Sequence, residues 1–224
     1  VIGRDGRMSG EIVSQFVCAS LQALGVDVVQ TGLSTTPTVE MAVPFHKADG
    51  GIILTASHNP KNWNALKLLN ASGEFISAEE GIQILEWSQD TQIEYAEVDT
   101  LGHLEIDSQS IQRHIHAILN LPFIPVDEIR KKQFRIAADC INSTAALALP
   151  ILFEALNIEF VLINKELTGD FIHDPEPLPQ NLVELMNLMN SDNFDLGVAV
   201  DPDVDRLALV DEHGLYFGEE DNLA

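Results

Sequence analysis

Gly51-Ile52-Ile53-Leu54-Thr55-Ala56-Ser57-His58-Asn59-Pro60 reads as a buried strand running straight into a polar loop. Gly51 to Leu54 is short and largely β-branched, as an interior strand would be. Pro60 biases Asn59 away from helix and stiffens the exit. In an α/β domain a strand end of this kind presents side chains at the carboxyl edge of the sheet, where ligands bind. Ser57 is therefore a candidate nucleophile or phosphate carrier. The competing reading is an ordinary turn, because Ser, Asn and Pro are common turn formers.

Working outward, strand and helix patterns alternate. Val1-Ile2 leads into the cationic turn Gly3-Arg4-Asp5-Gly6-Arg7. Apolar residues from Ile12 to Leu24 fall at helical spacing, and Gly25 is a stop. Val26 to Val29 is predicted as a strand and Thr31 to Pro37 as a loop. Thr36 is the expected N-cap, with Pro37 at the first helical position. Pro44 is an awkward residue inside that helix. Trp63 to Leu69 returns as a strand, and Ser77-Ala-Glu-Glu80 matches a capping box opening a helix. Residues 90–107 are polar and irregular. A second unit of similar build follows. It has helix over 108–121, strand over 134–138, helix over 145–156, strand over 158–163, helix over 181–189, and strands over 195–200 and 207–210. The predicted fold is α/β: two similar domains, 1–107 and 108–224, each a mixed, mostly parallel sheet flanked by helices.

Bulk composition narrows the function. Lys and Arg number 12 against 35 Asp and Glu, for a formal charge of -23. Nucleic acid and anionic membrane surfaces both need a basic footprint, so neither is an expected partner. Cys18 and Cys140 sit in apolar surroundings without metal-ligand spacing, as in a reducing, cytoplasmic compartment. No apolar run is long enough to span a bilayer. His46, His103, His114, His116, His173 and His213 are scattered and read as surface or structural residues. The chain opens directly in strand-like residues, which points to a missing N-terminus.

Asp201-Pro202-Asp203-Val204-Asp205-Arg206 follows a second buried strand. Three carboxylates at alternate positions can converge on one hard cation, and Mg²⁺ prefers oxygen ligands in an octahedron. Nothing soft is present for zinc or copper. An EF-hand Ca²⁺ loop fits the acidic spacing through Glu212. However, Arg206 stands where that loop needs Gly, and strands flank it instead of helices. A solvated acidic turn is the other competing reading. Together the two stretches place a Ser on one unit and an Mg²⁺ cage on the other. Phosphate oxygens would complete the cation's octahedron, and Arg206 could hold the same phosphate with its planar fork.

Thr55-Ala-Ser57-His58-Asn59-Pro60 with Asp201-Pro-Asp203-Val-Asp205-Arg206 resembles the α-D-phosphohexomutase superfamily. Gly3 to Arg7, Thr36-Pro37, Asn64-Ala-Leu-Lys67, Asp139-Cys-Ile-Asn142 and Pro175-Glu-Pro-Leu-Pro179 look like further family segments, in family order. The resemblance covers essentially the whole chain. It implies that Ser57 is the phosphoserine and that Asp201, Asp203 and Asp205 bind Mg²⁺ together with a phosphoserine oxygen. It also implies that His58, Lys67, Arg206 and Arg7 serve the transfer site. Lys67 is a proton handler in that reading, and Arg4 and Arg7 offset the anionic field. The implied partners are a hexose phosphate and a hexose 1,6-bisphosphate. Pro202 and Ala65 stand where relatives often have Gly. The family has four domains, and this chain looks like the first two. Gly218 to Ala224 falls where a third, sugar-reading domain would begin, and a fourth, phosphate-clamping domain would follow. Two other functions remain open at this stage: an Mg-dependent phosphatase with an Asp nucleophile, and a non-catalytic module binding divalent ions or phosphosugars.

Overall fold

The computed structural model describes residues 1–89, 92–191 and 193–217. Gly218 to Ala224, expected to open a third domain, lie outside the described residues. The chain forms two five-stranded sheets of similar build, each covered on both faces by helices.

The first sheet contains β1 (Ile2–Arg4), β2 (Val28–Leu33), β3 (Gly51–Leu54), β4 (Leu66–Leu69) and β5 (Leu104–Ile106), in the order β4-β3-β1-β2-β5. All neighbours are parallel except β3 and β4. The helix α1 (Gly10–Ala23) buries Cys18 and packs Val13, Val17 and Leu21 onto Ile2, Val28 and Leu54. From the opposite face, α2 (Thr36–His46) buries Val39 and Val43 against Ile53 and Leu69. Each such side chain contributes about 1.5–3 kcal/mol on leaving water. The capping box of α3 (Ala78–Trp87) forms as predicted, with Ser77 and Glu80 exchanging hydrogen bonds.

The second sheet contains β6 (Arg135–Asp139), β7 (Glu159–Ile163), β8 (Leu196–Val200), β9 (Leu207–Val210) and β10 (Tyr216–Phe217), in the order β10-β9-β8-β6-β7. Pairs β6/β7 and β6/β8 are parallel, while β8/β9 and β9/β10 are antiparallel. The helix α6 (Ala145–Ala155) covers one face through Leu149 and Phe153, and α7 (Val183–Ser191) the other through Leu185 and Met189. Between the sheets, α4 (Ser110–Leu119) packs on both α2 and α6. A short helix, α5 (Val126–Lys132), leads into β6.

The two sheets share one topology, with β4-β3-β1-β2 corresponding to β9-β8-β6-β7. In each, the chain first crosses to one side of a central strand and then to the other. The switch points therefore lie between β1 and β3 and between β6 and β8, where α/β sheets bind ligands. The Ser57 loop leaves β3 and the Asp201 loop leaves β8, so both stretches emerge at switch points.

Several elements differ from the sequence reading. β2 runs on to Leu33 because β1 pairs with it through Gly3↔Gly32 and Arg4↔Leu33. β5 forms inside the polar stretch by pairing with β2. The N-cap of α2 is Thr35, whose hydroxyl accepts from the Thr38 amide at 3.2 Å, and not Thr36.

Candidate active site

The Ser57 loop is built from beneath. Asp5, at the end of β1, is fully buried and accepts the Thr55 hydroxyl at 2.7 Å. Thr55 Oγ1 in turn accepts the Ser57 amide at 2.8 Å. Ser57 is thereby held with φ of 48°, in the left-handed region that L-residues adopt at a cost of about 1–2 kcal/mol. Arg7 locks the rest. Its Nε donates to Asp5 Oδ2, its Nη1 to the carbonyls of Pro60 and Trp63, and its Nη2 to those of Ser57 and Asn59, over 2.5–3.0 Å. A guanidinium has five N–H donors, and all of them are engaged below the loop. Burial pushes the Asp5 carboxyl up to about 6, against the opposing bonds from Arg7 and Thr55.

The Asp201 loop is a tight turn at the end of β8. The Val204 amide donates to the Asp201 carbonyl at 3.1 Å, and Val204 itself sits at φ 63°. A β-branched residue in that region stores about 1–3 kcal/mol of strain. The turn brings the amides of Asp205 and Arg206 onto Asp201 Oδ1, each at 3.2 Å. Pro202, where a relative's Gly was expected, uses its carbonyl to accept from Ser143 Oγ at 2.6 Å and Thr144 Oγ1 at 3.0 Å.

The two loops meet. Ser57 Oγ donates to Asp201 Oδ2 at 2.7 Å across 144 residues, and His58 Nδ1 lies 3.3 Å from the same hydroxyl. Lys67 Nζ, from β4, donates to Asp203 Oδ2 and Asp205 Oδ2 at 2.7 Å each. One carboxylate oxygen from each of Asp201, Asp203 and Asp205 lies within 4.8 Å of the others. Asp203 Oδ1 is buried and has no hydrogen-bond partner. A buried carboxylate oxygen left unpaired is costly, and a cation satisfies it. Three hard oxygen donors with one orphaned atom fit a small divalent ion.

The charges are distributed unequally. Burial, with the neighbouring Asp203 charge, pushes the Asp201 carboxyl up to about 8. Burial would also raise Asp203. The Lys67 ammonium and the bonds from Lys67 and Thr36 outweigh it and hold Asp203 below the usual carboxylate range. Lys67 is raised, because Asp203 and Asp205 outweigh its own desolvation.

The structure thus brings together Ser57, His58, Lys67, Asp201, Asp203 and Asp205. The two expected arginines border this set: the Arg206 amide donates to Asp201 Oδ1 and Arg7 Nη2 to the Ser57 carbonyl. Arg206 donates from Nη1 to Glu176 at 3.3 Å. Arg7 is a buried clamp under the loop, with all five of its donors engaged there. Arg4 pairs with Glu11 at 2.9 Å, so its charge is locally offset. Sequence reasoning missed three residues that shape the site: Asp5, Thr55 and Thr36. The Thr36 hydroxyl donates to Asp203 Oδ2 at 2.5 Å. All three fall inside segments quoted for the resemblance, but sequence reading assigns none of them a role at the site.

Three comparisons place this chain. Residues 1–92 match the profile described as phosphoglucomutase/phosphomannomutase, alpha/beta/alpha domain I, and residues 112–214 match alpha/beta/alpha domain II of the same family. A Methanopyrus kandleri protein named "Probable phosphoglucosamine mutase" is 33% identical over the whole chain, which covers 48% of that relative. A phosphoglucomutase/phosphomannomutase from Thermococcus kodakarensis is 33% identical, over 97% of this chain and 47% of its own. A crystal structure of a phosphoglucomutase/phosphomannomutase family protein from Burkholderia thailandensis superposes with a TM-score of 0.78 at 25% identity, over 96% of this chain and 46% of that one. The chain spans about half the length of the curated relatives it matches. No helix among the described residues is long and apolar enough to cross a membrane. With the domain I and domain II profiles falling in order on its two sheets, the chain belongs to the phosphoglucomutase/phosphomannomutase family and carries the N-terminal portion of it.

Proposed function

We propose that this chain carries the phosphoryl-transfer half of a phosphohexomutase, with Ser57 as the phosphate carrier and Mg²⁺ in the Asp201, Asp203, Asp205 cluster. The observation that supports this most directly is the 2.7 Å approach of Ser57 Oγ to Asp201 Oδ2. A phosphate on Ser57 would sit beside the carboxylates, where its negative charge is tolerated only with a cation between them. When bound, Mg²⁺ supplies charge neutralisation for the transferring group and a fixed orientation for its oxygens.

The chain's own residues then divide the work. Transfer breaks the bond from phosphorus to Ser57 Oγ and forms one to a sugar oxygen at C1 or C6, while the proton given up by that sugar hydroxyl is balanced by the one Ser57 Oγ takes up. The resulting hexose 1,6-bisphosphate reverses in the site and returns its other phosphate to Ser57. The left-handed backbone at Ser57, held by Arg7, Asp5 and Thr55, keeps Oγ aimed across the domain boundary. Lys67 places its Nζ on Asp203 and Asp205, where it serves the transfer as counter-charge and proton handler. His58 stands within reach of the Ser57 oxygen. Which hexose phosphate is accepted belongs to residues beyond these two domains. Phosphorylated at Ser57, the 224-residue chain alone is expected to bind the cation without interconverting hexose 1- and 6-phosphates, and measurable turnover would contradict this.

The test is peptide mapping by mass after incubation with a hexose 1,6-bisphosphate and Mg²⁺. Phosphate confined to Ser57, and absent from Ser57→Ala, is the expected result. A hydroxylamine-labile phosphate on Asp201 or Asp203 would instead support the Asp-nucleophile phosphatase. Cation binding without any transferable phosphate would leave a binding module.

A further inference from the structure

We propose that Thr36 is a positioning residue for the cation site, holding Asp203 with one carboxylate oxygen engaged and the other open. The proposal rests on the cation reading above and extends it to a residue on the opposite domain. Thr36 precedes Pro37 and looks like an N-cap, yet Thr35 performs that task through the Thr38 amide. The Thr36 hydroxyl is therefore not needed by its own helix. It donates instead to Asp203 Oδ2 at 2.5 Å, across 167 residues, and the Thr36 amide donates to the Asp203 carbonyl at 2.7 Å. Two bonds from one residue fix both the backbone and the carboxylate plane of Asp203.

Rigidity distinguishes Thr36 from the other group on that oxygen. Lys67 reaches Asp203 Oδ2 from the end of a four-carbon stem and is shared with Asp205. Thr36 is the first residue of a packed helix, with Pro37 following it. A helix N-terminus also favours an anion placed against it. The independent sign of a ligand is the other oxygen. Asp203 is 0% exposed, and its Oδ1 accepts no hydrogen bond from an N–H or hydroxyl donor, while the Asp201 carboxyl stands beside the same carboxylate. With Oδ2 held by Thr36 and Lys67, the carboxylate cannot rotate to satisfy Oδ1 without losing two bonds. The open oxygen is thus kept ready for a cation. Asp205, by contrast, is 28% exposed and is held by Lys67.

Groups that orient metal ligands are worth about 10- to 100-fold in affinity. The experiment is Mn²⁺ titration of the 224-residue chain, phosphorylated at Ser57, by calorimetry and electron paramagnetic resonance, comparing wild type, Thr36→Val and Thr36→Ser. Thr36→Val is expected to weaken Mn²⁺ by about 10- to 100-fold and to broaden its spectrum, while Thr36→Ser stays within about threefold of wild type. Should Thr36→Val fail to fold by circular dichroism, Thr36→Ala, which adds no bulk, carries the same expectation. Thr35→Ala removes the helix cap and is expected to lower the melting temperature without changing Mn²⁺ affinity. Wild-type affinity in Thr36→Val or Thr36→Ala, or a loss in Thr36→Ser equal to theirs, would overturn the role of Thr36 alone. Absence of Mn²⁺ binding in the wild-type chain would overturn the cation reading and this proposal together.

Discussion

The loops after β3 and β8 leave equivalent strands of two similar sheets, yet they are held in opposite ways. The Ser57 loop is held from below by a buried cation, Arg7, and a buried anion, Asp5. The Asp201 loop contains the anions itself and borrows its cation, Lys67, from the other domain. In both sheets an Asp at the end of the central strand folds back on the amide two residues on: Asp5 on Arg7, Asp139 on Ile141. The shared frame supplies position, and the side chains added to it decide the chemistry. One half offers a hydroxyl on a charge-neutral base, and the other offers uncompensated oxygen ligands.

The largest expected effect comes from removing the clamp. Arg7→Met leaves the Asp5 carboxylate buried and unpaired and frees four loop carbonyls, so it should cost about 3–5 kcal/mol, read as a lower urea midpoint. A variant as stable as wild type would show that the Ser57 loop does not depend on its base. Next come the ligands. Asp203→Asn should weaken Mn²⁺ by roughly 100-fold and the more exposed Asp205→Asn by about tenfold, measured by calorimetry. Equal losses would mean that burial of Asp203 confers no advantage. Thr55→Val removes bonds to Asp5 and to the Ser57 amide and should cost about 1–3 kcal/mol in the first domain. Its Mn²⁺ affinity should be unchanged.

The smallest effect is a pH dependence in the second domain. His173 Nε2 lies 3.0 Å from Asp139 Oδ2. Burial alone would lower the His173 pKa, but Asp139, the Asp174 carbonyl and Glu184 raise it above the ordinary value of 6.5. The protonated pair stabilises the fold fully below 6.5, and that contribution is lost as pH rises through the raised pKa. His173→Gln should flatten the decline of the urea midpoint above pH 6.5 relative to wild type. An unchanged profile would remove His173 from the account.

Much of this molecule was legible in its sequence, for local reasons. Gly51 to Leu54 and Leu196 to Val200 announce themselves by apolar runs, and Ser77 and Glu80 by their spacing. The pairing of Ser57 with three aspartates was legible because each residue type is demanded by the chemistry. What escaped reading was set by distant partners. β5 is three exposed residues that become a strand only because β2 lies alongside. Arg7 reads as a counter-charge to the anionic field until four carbonyls from residues 57–63 close around its fork. Thr36 reads as a cap until Asp203 arrives from the other domain. Gly169, at φ 64°, lies so close to the Gly6 carbonyl that a side chain would collide with it, and this domain contact has no local signature.

The central claim is that one cation joins the phosphate carrier of the first domain to the carboxylates of the second. An anomalous-difference map of the chain, phosphorylated at Ser57 and crystallised with Mn²⁺, tests it most directly. The expected result is a single peak at about 2.0–2.3 Å from an oxygen of each of Asp201, Asp203 and Asp205 and from one phosphate oxygen on Ser57. A peak that excludes the Ser57 phosphate, or a phosphate turned away from an occupied carboxylate cluster, would contradict the account.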